Sequence, residues 1–380
     1  MVFCCSLTAS AQTWTQTSAP ATNWISVASS ADGVNLVAAV GGLPGAYNVY
    51  GSVYTSTNSG ATWLEQTNAP TMNWQTVASS ADGSRLLAVA GSKSSSVANG
   101  SGIFTSVDGG FTWKSNDVRQ SFYQGGIMSK DGTNLIVVRP FTFSTNAGNT
   151  WSTNASPLVT AIAVSADGTK IVGGGISGPL YLTKDFGNTW TNALSSGGWP
   201  SFASSVDGNT LLAYGIGTPP LGGLFISTNG GSSWGTNSFL TSPCVASSAD
   251  GKKLTVALRN GGIYTSTNSG GTWIQTSAPN QHWQSISSSA DGNVLVAAVY
   301  GGGIWTSRNP AAPQLSITTS STEVGLSWII PSTNLVLQQS ADLSNWADAT
   351  NVPALNLTNL QNQVTLPLNI SNSFYRLKTP

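Results

Sequence analysis

The chain has 380 residues, enough for one large domain and one small one, and its formal net charge is zero. Only 7% of residues are charged, against roughly 25% in an average soluble domain. No Lys/Arg block and no long apolar run occurs, so nothing supports a nucleic-acid or anionic-membrane partner or a membrane span of ~18 residues.

Residues 1–11 read as the end of a secretion signal. Val2-Phe3-Cys4-Cys5-Ser6-Leu7 is apolar, and Ala9-Ser10-Ala11 fits a small-x-small cleavage site before Gln12. Export, to the periplasm, the cell surface or the medium, is therefore expected. Cys244 would be the one cysteine left. Its neighbours Pro243 and Val245 suggest a buried strand cysteine rather than a nucleophile.

From Gln12 to Asn309 the sequence repeats. Asp-Gly turns recur at Asp32, Asp82, Asp131, Asp167, Asp207, Asp250 and Asp291. Each is preceded by small residues such as Val27-Ala28-Ser29-Ser30 and followed by an apolar run such as Val294 to Val299. Six units continue with Ser/Thr-x-Asp/Asn-x-Gly-x-x-Trp, ending at Trp63, Trp113, Trp151, Trp190, Trp234 and Trp273. Four short strands per unit cannot bury their own faces, so the units must stack. Small residues suit the converging axis, and tryptophans fill the splayed rim. The seventh unit lacks its Trp strand. Trp14-Thr15-Gln16-Thr17-Ser18-Ala19-Pro20 matches Trp273 to Pro279 almost residue for residue. The expectation is an all-β, seven-bladed β-propeller over 12–309, with the N-terminal strand closing the last blade and removing two sheet edges. Insertions at Leu43–Ser52 and Ser92–Ser101 read as surface loops.

The Trp-ended motif begins at Ser56, Ser106, Ser144, Thr183, Ser227 and Ser266. Asn58, Asp108, Asn146, Asp185, Asn229 and Asn268 can accept bonds from backbone amides about two residues on, and the Gly supplies positive φ. The motif resembles the Asp-box, or BNR, repeat of sialidases, and the related repeats of Ycf48-type photosystem II assembly factors. The resemblance covers about 300 residues and implies a propeller. Four of the six copies carry Asn, and hard cations want several carboxylates together. The motif therefore reads as structural, with no metal and no cofactor implied.

The sialidase resemblance would imply an arginine triad, a Tyr nucleophile with a Glu partner, an Asp acid/base and an Arg-Ile-Pro motif. Val138-Arg139-Pro140 is the nearest match to the last. Arg119, Arg139 and Arg259 fall on loops of the ligand-type face, with Tyr123 nearby. Turns and motif copies use nine of the ten propeller aspartates, leaving Asp117 and the single Glu65. These look too far apart for a glycosidase pair, which needs ~5–9.5 Å. His282, the only histidine, reads as a loop cap.

Loops entering the first strands carry Trp24, Trp74, Phe122, Tyr123, Trp199 and Trp283, and those after second strands carry Tyr47, Tyr50 and Tyr300. Two readings stand: aromatics exposed for a ligand, or blade-to-blade packing, which the recurrence of Trp24, Trp74 and Trp283 favours. The ligand-binding candidates are Tyr47, Tyr50, Tyr123, Tyr300, Arg119, Arg139 and Arg259.

Residues 310–313 form a stiff linker. Segments of 314–380 such as Val324 to Trp328 and Leu335 to Gln338 alternate like strands and suggest a small β-sandwich. Leu337 to Trp346 with a terminal Phe-Tyr-Arg-Leu resembles tail modules of exported bacterial proteins, which again implies export. The expected function is a monomeric, non-catalytic binding scaffold for a glycan or protein at the cell envelope. The alternatives are a sialidase-like glycoside hydrolase and a Ycf48-like assembly factor, which would want a basic patch.

Overall fold

In the computed structural model the described residues are 12–42, 50–91, 101–116, 123–195, 197–216, 222–237, 243–308 and most strands between 316 and 378. They are strands and turns without helix. Blade 1 begins with Thr22–Ser29, blade 2 with Trp74–Ser79, blade 3 with Gly125–Met128 and blade 4 with Ala161–Val164. Blade 5 begins with Gly198–Ser204, blade 6 with Pro243–Ser247 and blade 7 with Gln281–Ser288. Each first strand is followed by antiparallel neighbours in sequence order. In blade 7 the outermost place is filled from the other end of the chain: Trp14–Gln16 pairs with Ile304–Arg308, with Trp14 opposite Ser307 and Gln16 opposite Trp305. The ring closes as the Trp14–Pro20 match predicts.

The closure has a specific backbone basis. In every Asp-Gly turn the sequence is Ser-x-Asp-Gly. The Ser hydroxyl donates to the Asp carboxylate and accepts the amide five residues on, as Ser30 does with Asp32 at 2.5 Å and Asn35 at 2.9 Å. Side chains thus satisfy the turn, and the peptide of residue x is left to bond outward. Its N–H donates to the carbonyl of residue x in the next blade. The chain of donors runs Ala31, Ala81, Lys130, Ala166, Val206, Ala249, Ala290 and back to Ala31, with every link between 2.7 and 2.9 Å. The alanine and valine side chains form one buried cluster on the axis. Lys130 is the polar member of the ring, and burial lowers its pKa.

Between blades the packing is aromatic. Trp74 lies with Ile25, Val37 and Ala39 of blade 1 and with Val77 and Leu86 of its own blade. Trp24, Trp199 and Trp283 repeat that arrangement, and all four are at most 1% exposed. Their indole N–H groups donate to backbone carbonyls of Pro20, Gly51, Gly178 and Gly261 at 2.9–3.1 Å. Packing is therefore the correct reading for these tryptophans, because their one polar atom finds a backbone partner inside. The rim tryptophans, from Trp63 to Trp273, are half-buried against the same interblade clusters.

Beyond the propeller, a four-stranded and a three-stranded sheet meet over Leu326, Trp328, Leu337, Val364 and Leu366. Leu355 of this module reaches the axial cluster of Ala31, Ala81, Ala166, Val206 and Ala290. The tail module thus sits over the Asp-Gly end of the axis and leaves the opposite, loop-bearing face uncovered by this contact.

Ser80 is 1% exposed, and its hydroxyl serves both Asp82 and the amide of Arg85. Ser80→Ala leaves that amide without its acceptor, so we expect a loss of about 1–3 kcal/mol. A urea midpoint that falls with an unchanged m-value would show it.

Candidate functional site

The turns account for the carboxylates. In the Trp-ended motif, Asn58 Oδ1 accepts the Ser56 hydroxyl and the Thr62 amide, both at 2.9 Å, while Ser56 Oγ accepts the Gly60 amide at 2.9 Å. The same pattern repeats at Asp108, Asn146, Asp185, Asn229 and Asn268. The amide captured lies four residues on rather than two, because two consecutive residues, such as Ser59 and Gly60, take positive φ and lengthen the turn. Asn serves as well as Asp because this geometry needs an acceptor and not a charge.

Among the Asp-Gly carboxyls, burial pushes Asp82, Asp131, Asp167 and Asp207 up, but hydrogen bonds from the Ser and from residues just past the turn outweigh it and hold them low. Asp291 is more deeply buried and is raised. Asp108 and Asp185 are held at about 2: bonds from Thr112 and Ser106 outweigh burial at Asp108, and those from Thr183 and Thr189 act at Asp185. Glu65 stands on the exposed outer strand of blade 1, bonded to Ser52 Oγ at 2.5 Å. Asp117 lies outside the described residues, as do Tyr47, Arg119 and Phe122.

On the loop face, two strands run further than their sequence suggests. Leu254–Gly261 and Val294–Gly302 continue past their own blades and pair with the next blade's first strand. Arg259 lies opposite His282, and Tyr300 lies opposite Asn23. Arg259 therefore sits on a strand end instead of a loop, and Tyr300 likewise belongs to a strand rather than to the loop expected after it. Each extension contains a bulge, at Asn260 with φ 60° and Gly301 with φ 74°. Asn and Gly tolerate that left-handed conformation, and a bulge re-aims its neighbours.

These two equivalent bulges assemble one cluster. An Arg259 guanidinium N–H donates to Gln284 Oε1 at 3.1 Å. The His282 ring lies 5.7 Å from that of Tyr300, tilted by 53°. Burial, helped by Arg259, lowers the His282 pKa, and its buried Nε2 has no hydrogen-bond partner. Among the described residues no carboxylate joins this group. It offers a fixed cation, an amide, a neutral imidazole and a phenol, which suits recognition of acceptor-rich polar groups by hydrogen bonds and ring contact.

The other candidates lie elsewhere. Tyr50 is 45% exposed beside blade 1, and Arg139 is half-buried at positive φ after the second strand of blade 3. Tyr123 corrects the surface expectation. It is 1% exposed in the cluster of Leu87, Val89 and Val137, in the interblade place that blade 2 gives to Trp74, and burial drives its pKa up. Sequence reasoning missed Gln284 and the strand extensions. The Arg-Asn-Gly and Tyr-Gly-Gly endings of two apolar strands were the available signal. Cys244 packs beside the cluster of Trp14, Ala257 and Trp283.

Acid titration follows from the turns. A carboxyl whose folded pKa lies below the unfolded ~3.9 contributes stability above that value and loses it as pH falls through the folded one. Unfolding midpoints should therefore drop progressively between pH ~4 and ~2, with Asp291 opposing the trend. Burial pushes the Cys244 thiol up to about 12. Cys244 of the native chain should resist iodoacetamide at pH ~8 and be alkylated once unfolded, as mass mapping of its peptide would show.

No family model matches the chain, and no curated protein matches it in sequence. Solved structures do share its fold. A propeller described as "YCF48 bound to D1 peptide" superposes with a TM-score of 0.58 at 14% identity, covering 80% of this chain and 99% of the other. Ycf48 from Cyanidioschyzon merolae gives 0.57 at 13% identity, covering 79% and 99%. At this identity the likeness is one of fold: this chain is a β-propeller similar to the Ycf48 propellers.

Proposed function

We propose that the chain is an exported, non-catalytic propeller that holds a protein segment at the cell envelope. The observation that carries this reading is the cluster of Arg259, Gln284, His282 and Tyr300, which gathers donors and rings on the loop face with no carboxylate among the described residues. A hydrolase of the sialidase kind needs an acid beside its arginines, whereas the nine turn and motif carboxylates described above are tied to their own turns. A Ycf48 propeller bound to a D1 peptide supports a peptide over a glycan as occupant. The reading is of a scaffold in the manner of an assembly factor, with polar recognition in place of a large basic patch.

Export is part of the proposal, and N-terminal sequencing of the mature chain from its native compartment tests it, with Gln12 the expected first residue. For the binding reading, the mature chain immobilised on beads should retain partners from a detergent-solubilised envelope fraction. Arg259→Ala with Tyr300→Ala should cut that retention by about tenfold, equivalent to ~1.4 kcal/mol, without shifting the thermal midpoint. Turnover of a fluorogenic sialoside, or retention of glycans but no protein on a parallel array, would contradict the proposal.

A further inference from the structure

Away from the polar cluster, the loop face of blades 4 and 5 is aliphatic. Leu158, Ile176 and Ile216 are 63%, 74% and 54% exposed. They are distant in sequence but joined by two close approaches. A Cβ on Gly175 would stand 2.6 Å from the Leu158 carbonyl oxygen. A Cβ on Gly198 would stand 2.7 Å from the Ile176 carbonyl oxygen and 3.5 Å from the Ile216 Cβ. The missing side chains let the backbones close up and bring the three aliphatic residues into one strip.

The strip is not the residue of a repeated pattern. Leu158 precedes Val159, which takes the interblade place of Trp24 and Trp74. The residues before those tryptophans are Asn23 and Asn73, whose carbonyls accept the amides of Gly41 and Gly91. Blades 1 and 2 thus carry amides where blade 4 exposes a leucine. Ile216 lies opposite Gly198, a place that blades 1 and 2 give to Gly41 and Gly91. Three large exposed aliphatics whose backbones approach one another across adjoining blades mark an interaction surface. Arg139 flanks the strip: it follows Val138, which shares a buried cluster with Val159, and among the described residues no carboxylate pairs with it.

We infer that this strip docks an extended segment of a partner protein that carries aliphatic side chains at alternate positions and an acidic residue facing Arg139. The inference rests on the protein-scaffold reading and gives it a partner chemistry. A strip of aliphatics without an aromatic platform has nothing to stack on a sugar face, and one arginine is too little to hold an anionic membrane, where each basic residue adds about 1 kcal/mol. Alternation follows from the occupant's own geometry, since residues two apart in an extended chain share a face.

The test uses the full chain and an array of immobilised ten-residue synthetic peptides. The peptides alternate threonine with either leucine or serine and end in either glutamate or lysine. The wild-type chain should retain the leucine–glutamate peptides at least tenfold over the serine peptides. Leu158→Ser with Ile176→Ser and Ile216→Ser should abolish that preference, and all three are exposed positions where folding is little affected. Arg139→Gln should erase only the distinction between glutamate and lysine. Peptide binding that ignores the leucines, or that survives the triple variant, overturns the strip and leaves the scaffold reading standing. Retention of no peptide at all overturns the strip, and the scaffold reading is then decided by the envelope-fraction retention alone. A dimer seen by sedimentation and lost in Ile176→Ser would assign the strip to a second copy instead, and binding of phosphatidylglycerol vesicles by the wild type alone would assign it to a membrane; either result contradicts the inference.

Discussion

Everything in this propeller hangs on seven backbone hydrogen bonds around its axis. A peptide N–H near a tight turn normally has to be used within that turn or given to water. Here the Ser and Asp side chains of each Ser-x-Asp-Gly turn take over the local bonding, so residue x can donate to its counterpart in the next blade. Every bond points the same way round, and the last returns to Ala31. The ring sets the blades at a fixed pitch, and the wedge-shaped gaps that result demand small residues at the centre and tryptophans further out. The chain meets that demand with Ala31 and Ala81 at the axis and Trp63 and Trp113 at the rim.

That architecture also shapes the chemistry available for function. Nine of the eleven propeller carboxylates are committed to turns on the face that the tail module approaches through Leu355. Among the described residues, the loop face is left with neutral polar groups, Arg139, Arg259 and exposed apolar side chains. Two arrangements stand out there: the Arg259–Gln284–His282–Tyr300 cluster across blades 6 and 7, and the aliphatic strip across blades 4 and 5. A surface with one polar and one aliphatic sector suits a protein segment with matching halves better than a small, uniformly polar ligand.

Much of the fold was legible because its signals are local. An Asp-Gly turn, a Ser/Thr-x-Asp/Asn-x-Gly motif and the duplicate of Trp273–Pro279 at Trp14–Pro20 can each be recognised within a few residues. The site was less legible because it depends on neighbouring blades. Arg259 and Tyr300 are brought together by strand extensions whose pairing partners belong to the next blade, which no local pattern announces. Tyr123 was misread for a related reason: it replaces a buried tryptophan with a residue that usually keeps its hydroxyl near water. Leu158, Ile176 and Ile216 are 58 residues apart from first to last, and their adjacency is created by Gly175 and Gly198.

The central claim is that this chain works as a scaffold through its loop face. Site-directed photo-crosslinking tests it most directly, with a benzophenone amino acid placed in turn at Gln284, at Ile176 and, on the opposite face, at Asp185. Irradiation in intact cells should give protein adducts from the first two positions and none from the third. Adducts arising mainly from Asp185, or from none of the three while the chain turns over a glycoside, would contradict the account.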